Sequence, residues 1–486
     1  TCHRRSGMGS VEGVVSSAIL VPPLAGPLLF APAKFTNSFL DETHHYVPHI
    51  TWRRAMTRPA YDAATFADML RNGVNSSGES LDAPMPHYDL NEESAAALVA
   101  YLQHLTSEPD PGVSQDRLHL ATIITPDAHP DDADSVLGVL RTWTRSSSSI
   151  LIPWELHEWR LGGEPETWRR QLDEYYEGQP AFAVISGAGG VEWQPVHDFC
   201  ESRRLPCLMP SVYAAPRDRD ARYSVYFSPG SGLEARILAS HVVEQPTHGR
   251  IVQIVGDAAG RHAGEEFSRA MKGRDISVST RSFRSIAPLA ALRDLEPDDT
   301  LVLWLRDGHV NALSSMLPEA PDVARIYLAE LLAPSEAVDL SPSWRSRTQF
   351  VSLFDDLTLQ AEIARLRLAR WLRQNGLDTS LNRRVQADAY AASYLFDEAL
   401  EITRRQEVRR PPVPLSRDHV IEILEDIMRK YSDGTPFIDT EVHVAWYGRM
   451  SLGPRQRIAA RGGTILRYVD VDADRLEAAS ERFVPR

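Results

Sequence analysis

The sequence predicts a multi-domain α+β protein: a helical N-terminal region, then a linker, then a longer α/β region built on parallel sheets. Three observations carry this. The 486 residues are enough for about three compact units at roughly 100–200 residues per domain. Ser107-Glu108-Pro109-Asp110-Pro111-Gly112 is turn-forming throughout and marks a linker. Beyond it, short apolar runs rich in β-branched residues alternate with helical stretches, the pattern of parallel strands joined by crossover helices. A hydrophobic content of 43% with 24% charged residues is ordinary globular material. The formal net charge of −14 argues against nucleic acid or an anionic membrane as the main partner.

In the N-terminal region, Val21 to Phe30 is apolar but broken by Pro22, Pro23 and Pro27, and no run approaches the roughly 20 apolar residues that cross a bilayer. Met85 lies in a stiff frame between Pro84 and Pro86. Asn91 is a helix N-cap followed by Glu92 and Glu93 at the positive helix end. Leu98, Tyr101, Leu102 and Leu105 then form an i, i+3, i+4, i+7 stripe. After the linker, residues 118–124, 181–185, 250–255, 300–305 and 350–354 read as strands. Residues 166–176, 232–243, 264–271 and 310–317 read as helices between them, and longer helices follow at 358–374, 384–405 and 418–431. Cys200 ends a short helix (196–201) and Cys207 opens a strand (207–210).

The chemistry-bearing residues cluster at the start. Cys2-His3 is what remains of C-x-x-C-H when the first cysteine is not in the sequence given. That motif attaches haem c through thioethers, with the His as proximal ligand. Met85 offers a soft thioether as distal ligand. The departure from the full motif leaves three options: a chain cut at its start, a haem held by Cys2 alone, or no haem. Met8 and Met56 lack the proline frame, and His44, His45 and His49 fit no helical face, which favours a solvated loop over a metal site. Phosphate loop, H-E-x-x-H and G-x-S-x-G patterns are absent, so no catalytic residue is assigned and an enzyme is not expected. Asp131-Asp132 and Asp298-Asp299 read as solvated turn acids.

The Cys2-His3 remnant, Pro22-Pro23-Leu24-Ala25-Gly26, and Met85-Pro86-His87-Tyr88 with the following helix make residues 1–107 resemble a bacterial class I cytochrome c. The resemblance implies an all-α cytochrome c domain holding one haem c on Cys2, His3 and Met85. In it the Pro22 carbonyl accepts from the His3 ring, and the stripe of Leu98, Tyr101, Leu102 and Leu105 buries against the haem edge or the first helix. It also implies an electron carrier with a periplasmic redox partner, a quinoprotein dehydrogenase being one candidate. Residues 108–116 then form the linker. Because haem c is attached outside the cytoplasm, we expect an exported, periplasmic protein whose signal peptide has been removed. In that oxidising compartment a Cys200–Cys207 disulfide is favoured over two buried free thiols.

Residues 117–486 resemble type I periplasmic solute-binding proteins of the leucine/isoleucine/valine branch used by ABC transporters. The likeness rests on the ordered series Leu118-His119-Leu120-Ala121-Thr122-Ile123-Ile124, Ala183-Val184-Ile185-Ser186-Gly187, Leu205-Pro206-Cys207-Leu208-Met209-Pro210, Tyr223 to Gly230 and Gly249 to Gly256. It implies two doubly wound lobes, approximately 117–230 and 231–355, with later helices crossing between them and a small ligand in the cleft. Ligands of such sheets sit beyond the strand carboxyl ends. There Ser186, Gly187, Ala188 and Gly189 either cradle a carboxylate or simply make a turn that needs glycines. Tyr213, Arg306 and Asp307 are further lining candidates, and Trp193 is either lining or core. The family's hydroxyl-bearing pair after this strand is replaced here by Ala188-Gly189-Gly190, which weakens the case for an amino-acid ligand. Three functions follow: an exported electron carrier with a docking or sensing module; a receptor for a small polar or anionic solute with haem as accessory; or a scaffold with a dead cleft.

Overall fold

Proline, glycine and capping residues set the limits of the N-terminal helices in the computed structural model. It describes the chain except residues 1, 10–20, 33–57, 82–84, 147–151, 246–248, 285–286, 355–356, 380, 408–412, 433–446, 448–449, 473–474 and 485–486. His44, His45, His49, Met56, Ala83 and Pro84 therefore lie outside the described residues. The N-terminal helices are α1 (Gly26–Leu29), α2 (Ala63–Asn72) and α3 (Glu92–His104). Asp62 and Thr65 form a reciprocal capping box on α2, and Gly73 ends it in the left-handed region at φ 65°. Asn91 caps α3 as expected, its side chain accepting from the Ser94 N–H at 2.8 Å. Leu102 is buried and Leu98 and Leu105 half-buried against Leu29, Tyr61, Phe66, Met69 and Leu70. Tyr101, expected on the same stripe, is instead 58% exposed. The stripe packs on the first helix: a Cβ on Gly26 would lie 2.4 Å from the Gln103 carbonyl oxygen.

The linker is pinned. Asp110 accepts from the Arg417 N–H at 2.7 Å, and the buried Arg417 guanidinium donates to the carbonyls of Pro111, Ala181 and Phe182 at 3.1, 2.6 and 2.9 Å. A buried charge needs such acceptors. Residues 4–6 are tied to α13 (Arg417–Ser432). Arg4 pairs with Asp426 at 2.6 Å, and the Arg5 and Ser6 N–H groups donate to Glu422 at 2.8 and 3.2 Å.

The α/β region holds two sheets. The first comprises β1 (Leu118–Ile124), β2 (Trp154–Arg160), β3 (Ala183–Ile185), β4 (Ala188–Gly189), β5 (Cys207–Leu208), β6 (Ser211–Val212) and β7 (Ser224–Val225). Its order is β6-β4-β1-β3-β5-β7, with β2 also on β1, and every pairing is parallel. The second comprises β8 (Ile251–Val255), β9 (Val278–Ser282), β10 (Thr300–Trp304), β11 (Arg325–Ala329), β12 (Thr348–Ser352), β13 (Thr464–Tyr468) and β14 (Leu476–Ala478). Its order is β14-β13-β12-β11-β10-β8-β9, parallel except for the antiparallel β12–β13–β14 edge. Helices α4 (Pro130–Ser146), α5 (Trp168–Gly178), α6 (Gln194–Arg203), α7 (Ser231–Glu244), α8 (Ala258–Met271), α9 (Asp307–Met316), α10 (Pro342–Arg345), α11 (Leu359–Gln374) and α12 (Arg383–Glu407) cover them. The two doubly wound lobes are thus present. The chain returns from the second sheet to put α12 against α4 and α13 against α12, then re-enters the second sheet as β13. Two crossing segments run side by side, where the Tyr226 N–H donates to the Arg457 carbonyl at 2.8 Å and the Ala460 N–H to Phe227 at 2.7 Å.

All five expected strands exist, with β12 two residues earlier than read. The helix expected at 264–271 begins at Ala258, because Asp257 caps it by accepting from the Gly260 N–H. β2, an amphipathic edge strand mixing Trp, His and Glu, was not anticipated. Asp132 and Asp299, expected as solvated turn acids, are 3% and 1% exposed. Asp299 takes the Arg250 guanidinium at 3.1 Å. Among the described residues no helix is long and apolar enough to cross a membrane.

Candidate functional site

The carboxyl ends of both sheets face one cleft. Its first-lobe wall is Asp132 at the start of α4, Ser211 and Tyr213 at β6, and Asp388 on α12; Leu331 after β11 comes from the second lobe. Phe227 and Ser228 from a crossing segment, Asn382, Arg384 and Tyr447 complete it, around a small cavity of about 30 Å³ that is partly open to solvent.

One chain of polar contacts spans the lobes. Arg306, just past β10, donates from Nε to Asp257 at 2.7 Å and from Nη1 to the Tyr213 hydroxyl at 2.5 Å. Its guanidinium lies 4.2 Å from the Tyr213 ring centre, adding a cation–π contact. The Tyr213 hydroxyl donates to Asp132 Oδ2 at 2.7 Å, and Asn382 donates to Oδ1 at 2.7 Å. Burial and the Asp132 charge push the Tyr213 hydroxyl well above its ordinary range, so it stays a donor. Burial pushes Asp257 up, but Arg306 and the Gly260 N–H outweigh it and hold the carboxyl below its usual value.

A second cluster lies beneath. The Tyr447 hydroxyl contacts both Asp388 oxygens at 3.0 and 3.2 Å, and Ser211 donates to one at 3.3 Å. Burial outweighs these bonds and raises Asp388 to about 7. Arg384 lies 3.6 Å from the buried Glu330 and 4.1 Å above the Phe354 ring. Glu234, also buried, accepts from the Leu331 N–H at 3.0 Å and is pushed well above its ordinary range by burial.

Of the residues expected to line a cleft, Tyr213 lines it and Arg306 is hydrogen-bonded to the Tyr213 hydroxyl. Asp307 begins α9. Ser186, Gly187, Ala188 and Gly189 are not lining residues but are buried under neighbouring side chains. A Cβ on Gly189 would lie 2.4 Å from the Trp193 ring, and one on Gly190 would lie 2.3 Å from the Asp127 carboxylate. Trp193 is fully buried and plugs the turn, so the glycines serve close packing.

Sequence reasoning missed Asp132, Asp257, Asn382, Arg384, Asp388 and Tyr447. Asp257 was legible as the first polar residue past a strand end, and Asp388 as an acid among alanines on a helix. Tyr447 carries no local signal.

The expected Cys200–Cys207 disulfide is corrected: both thiols are free, buried and in hydrogen-bond contact. They sit on α6 and β5 in an apolar cluster with Trp168, Val196, Phe199 and Leu205. Burial and the neighbouring thiol push Cys200 up, which suppresses the thiolate needed for exchange.

The N-terminal candidates are found as follows. Cys2 is exposed and free. His3 Nδ1 lies 2.9 Å from the Pro22 carbonyl, the contact anticipated. Burial lowers the His3 ring below its ordinary value despite that bond. Met85 is packed against the cluster of Phe66, Met69, Leu70 and Leu102 as an apolar side chain.

No protein-family model and no curated protein matches the sequence. Solved structures match at the level of fold. A branched-chain amino acid ABC transporter protein from Thermus thermophilus, with bound valine, is 11% identical with a TM-score of 0.54; the match covers 76% of this chain and 97% of that one. A fatty acid ABC transporter substrate-binding protein from Thermomonospora curvata is 11% identical with a TM-score of 0.55, covering 78% and 95%. An extracellular ligand-binding receptor from Rhodopseudomonas palustris HaA2 is 10% identical with a TM-score of 0.53, covering 75% and 100%. The shared feature is the two-lobed α/β architecture of type I periplasmic binding proteins.

These findings correct the expectation of one haem c. The matched structures are described as ligand- or substrate-binding proteins, none as a haem protein, and Met85 is taken up by apolar packing rather than held out as an iron ligand. An all-α cytochrome c domain, its iron ligation and a redox partner have no support.

Proposed function

We propose that the protein is a periplasmic solute receptor that closes its two lobes on a small polar ligand. In this reading residues 117–486 are the receptor module, and residues 1–107 are a separate helical module docked on its first lobe. The observation that carries the proposal is the position of two buried carboxylates, Asp132 and Asp388, with Ser211, Asn382 and Tyr447, where the strand ends of the two lobes meet. Binding proteins of this architecture work by hinge closure, and such closure draws on a few crossing segments. Here these include the segments hydrogen-bonded side by side at Tyr226 and Arg457.

The lining favours a ligand that donates hydrogen bonds, an amine or a polyol, over the anion considered from sequence. The Asp132 carboxylate would repel an anion, and Arg384 already lies beside Glu330. Thermal-shift screening followed by calorimetry of small amines, amino acids, polyols and carboxylates tests this. A saturable one-to-one ligand weakened in Asp388→Ala supports it; a ligand set made only of anions overturns the donor reading.

The scaffold reading has one observation in its favour. Tyr213, Arg306, Asp132 and Asn382 pair with one another without a ligand, and Trp193 fills the glycine turn. Absence of any saturable ligand across the screen would select it.

A further inference from the structure

We propose that His119, Glu155 and His157 bind one divalent transition-metal ion, zinc being the best fit, at the amino end of the first sheet and away from the cleft. Parallel pairing sets His119 opposite Glu155 and Ala121 opposite His157. The three side chains therefore project from one face of adjacent strands. Their donor atoms all lie within 4.8 Å of one another, and each residue is half-buried, fixed by its strand yet open to solvent. Two imidazoles and a carboxylate with an open position form a donor set suited to zinc.

The imidazoles meet head-on. His119 Nδ1 lies 3.1 Å from His157 Nε2, the ring centres are 5.4 Å apart, and the planes differ by 6°. That arrangement shares one proton between two lone pairs. A metal ion takes the place of that proton, with each ring turning about its Cβ–Cγ bond until the lone pairs converge. Two nitrogens at about 2.0–2.1 Å from a tetrahedral zinc are about 3.3–3.4 Å apart, so the ring nitrogens need move little. Glu155 Oε2, 4.0 Å from His119 Nδ1, supplies the negative charge. The opposing charge is Arg117, whose Nη1 is 3.7 Å from Glu155. It is an exposed pair of the kind that is readily displaced.

The full chain, freed of metal by chelator dialysis, would be titrated with ZnCl2 by calorimetry and with CoCl2 by visible absorption. The expected result is one ion per chain with d–d bands of four- or five-coordinate cobalt. His119→Ala and His157→Ala should each weaken uptake by at least about tenfold, and the double variant should abolish it. Arg117→Ala should strengthen it. Because all three candidate ligands are half-exposed, circular dichroism should show the variants folded. Absence of saturable one-to-one uptake overturns the proposal. So does unchanged uptake in the folded double variant, which would put the ion elsewhere on the chain.

Discussion

Two segments that follow strand ends, one in each lobe, end differently. After β3 in the first lobe, Ser186 to Gly190 curls under Trp193 and Asp127 and is sealed. After β10 in the second lobe, Arg306 reaches out to Asp257 and across to Tyr213. Both lie where open α/β sheets bind ligands, yet only the second presents a side chain to the cleft. Glycine content misleads here, because a glycine serves a ligand cradle and a close-packed turn equally well. The plug decides which role it has, and the plug is a residue that folding brings in.

The largest test of this contrast is Trp193→Ala. Emptying a fully buried indole site should cost about 3–5 kcal/mol, read as a fall in the denaturation midpoint. A loss of less than about 1 kcal/mol would show that the turn is not sealed by packing. On the other side, Arg306→Ala should cost about 1–3 kcal/mol by removing the charged donor to Asp257 and Tyr213. It should also raise ligand-free lobe mobility in hydrogen exchange at residues 213–214. No change in exchange would mean that the contact does not join the lobes.

Two buried carboxyls of α12 give the molecule a pH signature. Asp388 has a folded value near 7, above the unfolded value of about 3.9. The folded state therefore holds the proton longer, and stability falls as pH rises from about 4 to about 7, by at most about 1.4 kcal/mol per unit. Asp397, buried beside the Trp143 N–H and also near 7, adds the same slope. Asp388→Asn should reduce that slope by at most about 1.4 kcal/mol per unit; an unchanged slope would show that Asp388 titrates in its ordinary range. The smallest effect expected is that of Tyr213→Phe, about 1 kcal/mol, from the lost hydroxyl bonds to Asp132 and Arg306. If it equals Arg306→Ala, the Arg306 contribution passes through Tyr213 alone.

Much of the fold was legible in local signals. The linker prolines, the Asn91 cap and the β-branched runs at 118–124 and 251–255 are nearest-neighbour effects that any context preserves. β2 was missed because its Trp-Glu-Leu-His-Glu-Trp-Arg run carries charge on a half-solvated edge, and α4 because it opens on a proline and two acids. In the site, Tyr213 and Arg306 were legible as residues just past strand ends. Asp132, Asp388 and Tyr447 were not, since their roles arise from contacts spanning 59 to 250 residues of chain. The haem expectation failed for a related reason. Cys2-His3, Pro22 and Met85 are local patterns; His3 does lie against the Pro22 carbonyl, but the pattern did not show where the Met85 sulfur would pack.

By itself, then, the sequence determined the order of the central strands and of most helices, the mainly parallel class of the sheets and the positions of most helix ends, because these follow from periodicity and capping within a few residues. Tertiary structure alone decided which acids are buried, which turn is sealed and which side chains meet across the lobes. Those outcomes depend on desolvation and packing by residues far away in the chain, and nothing in a local window reports which neighbours will arrive.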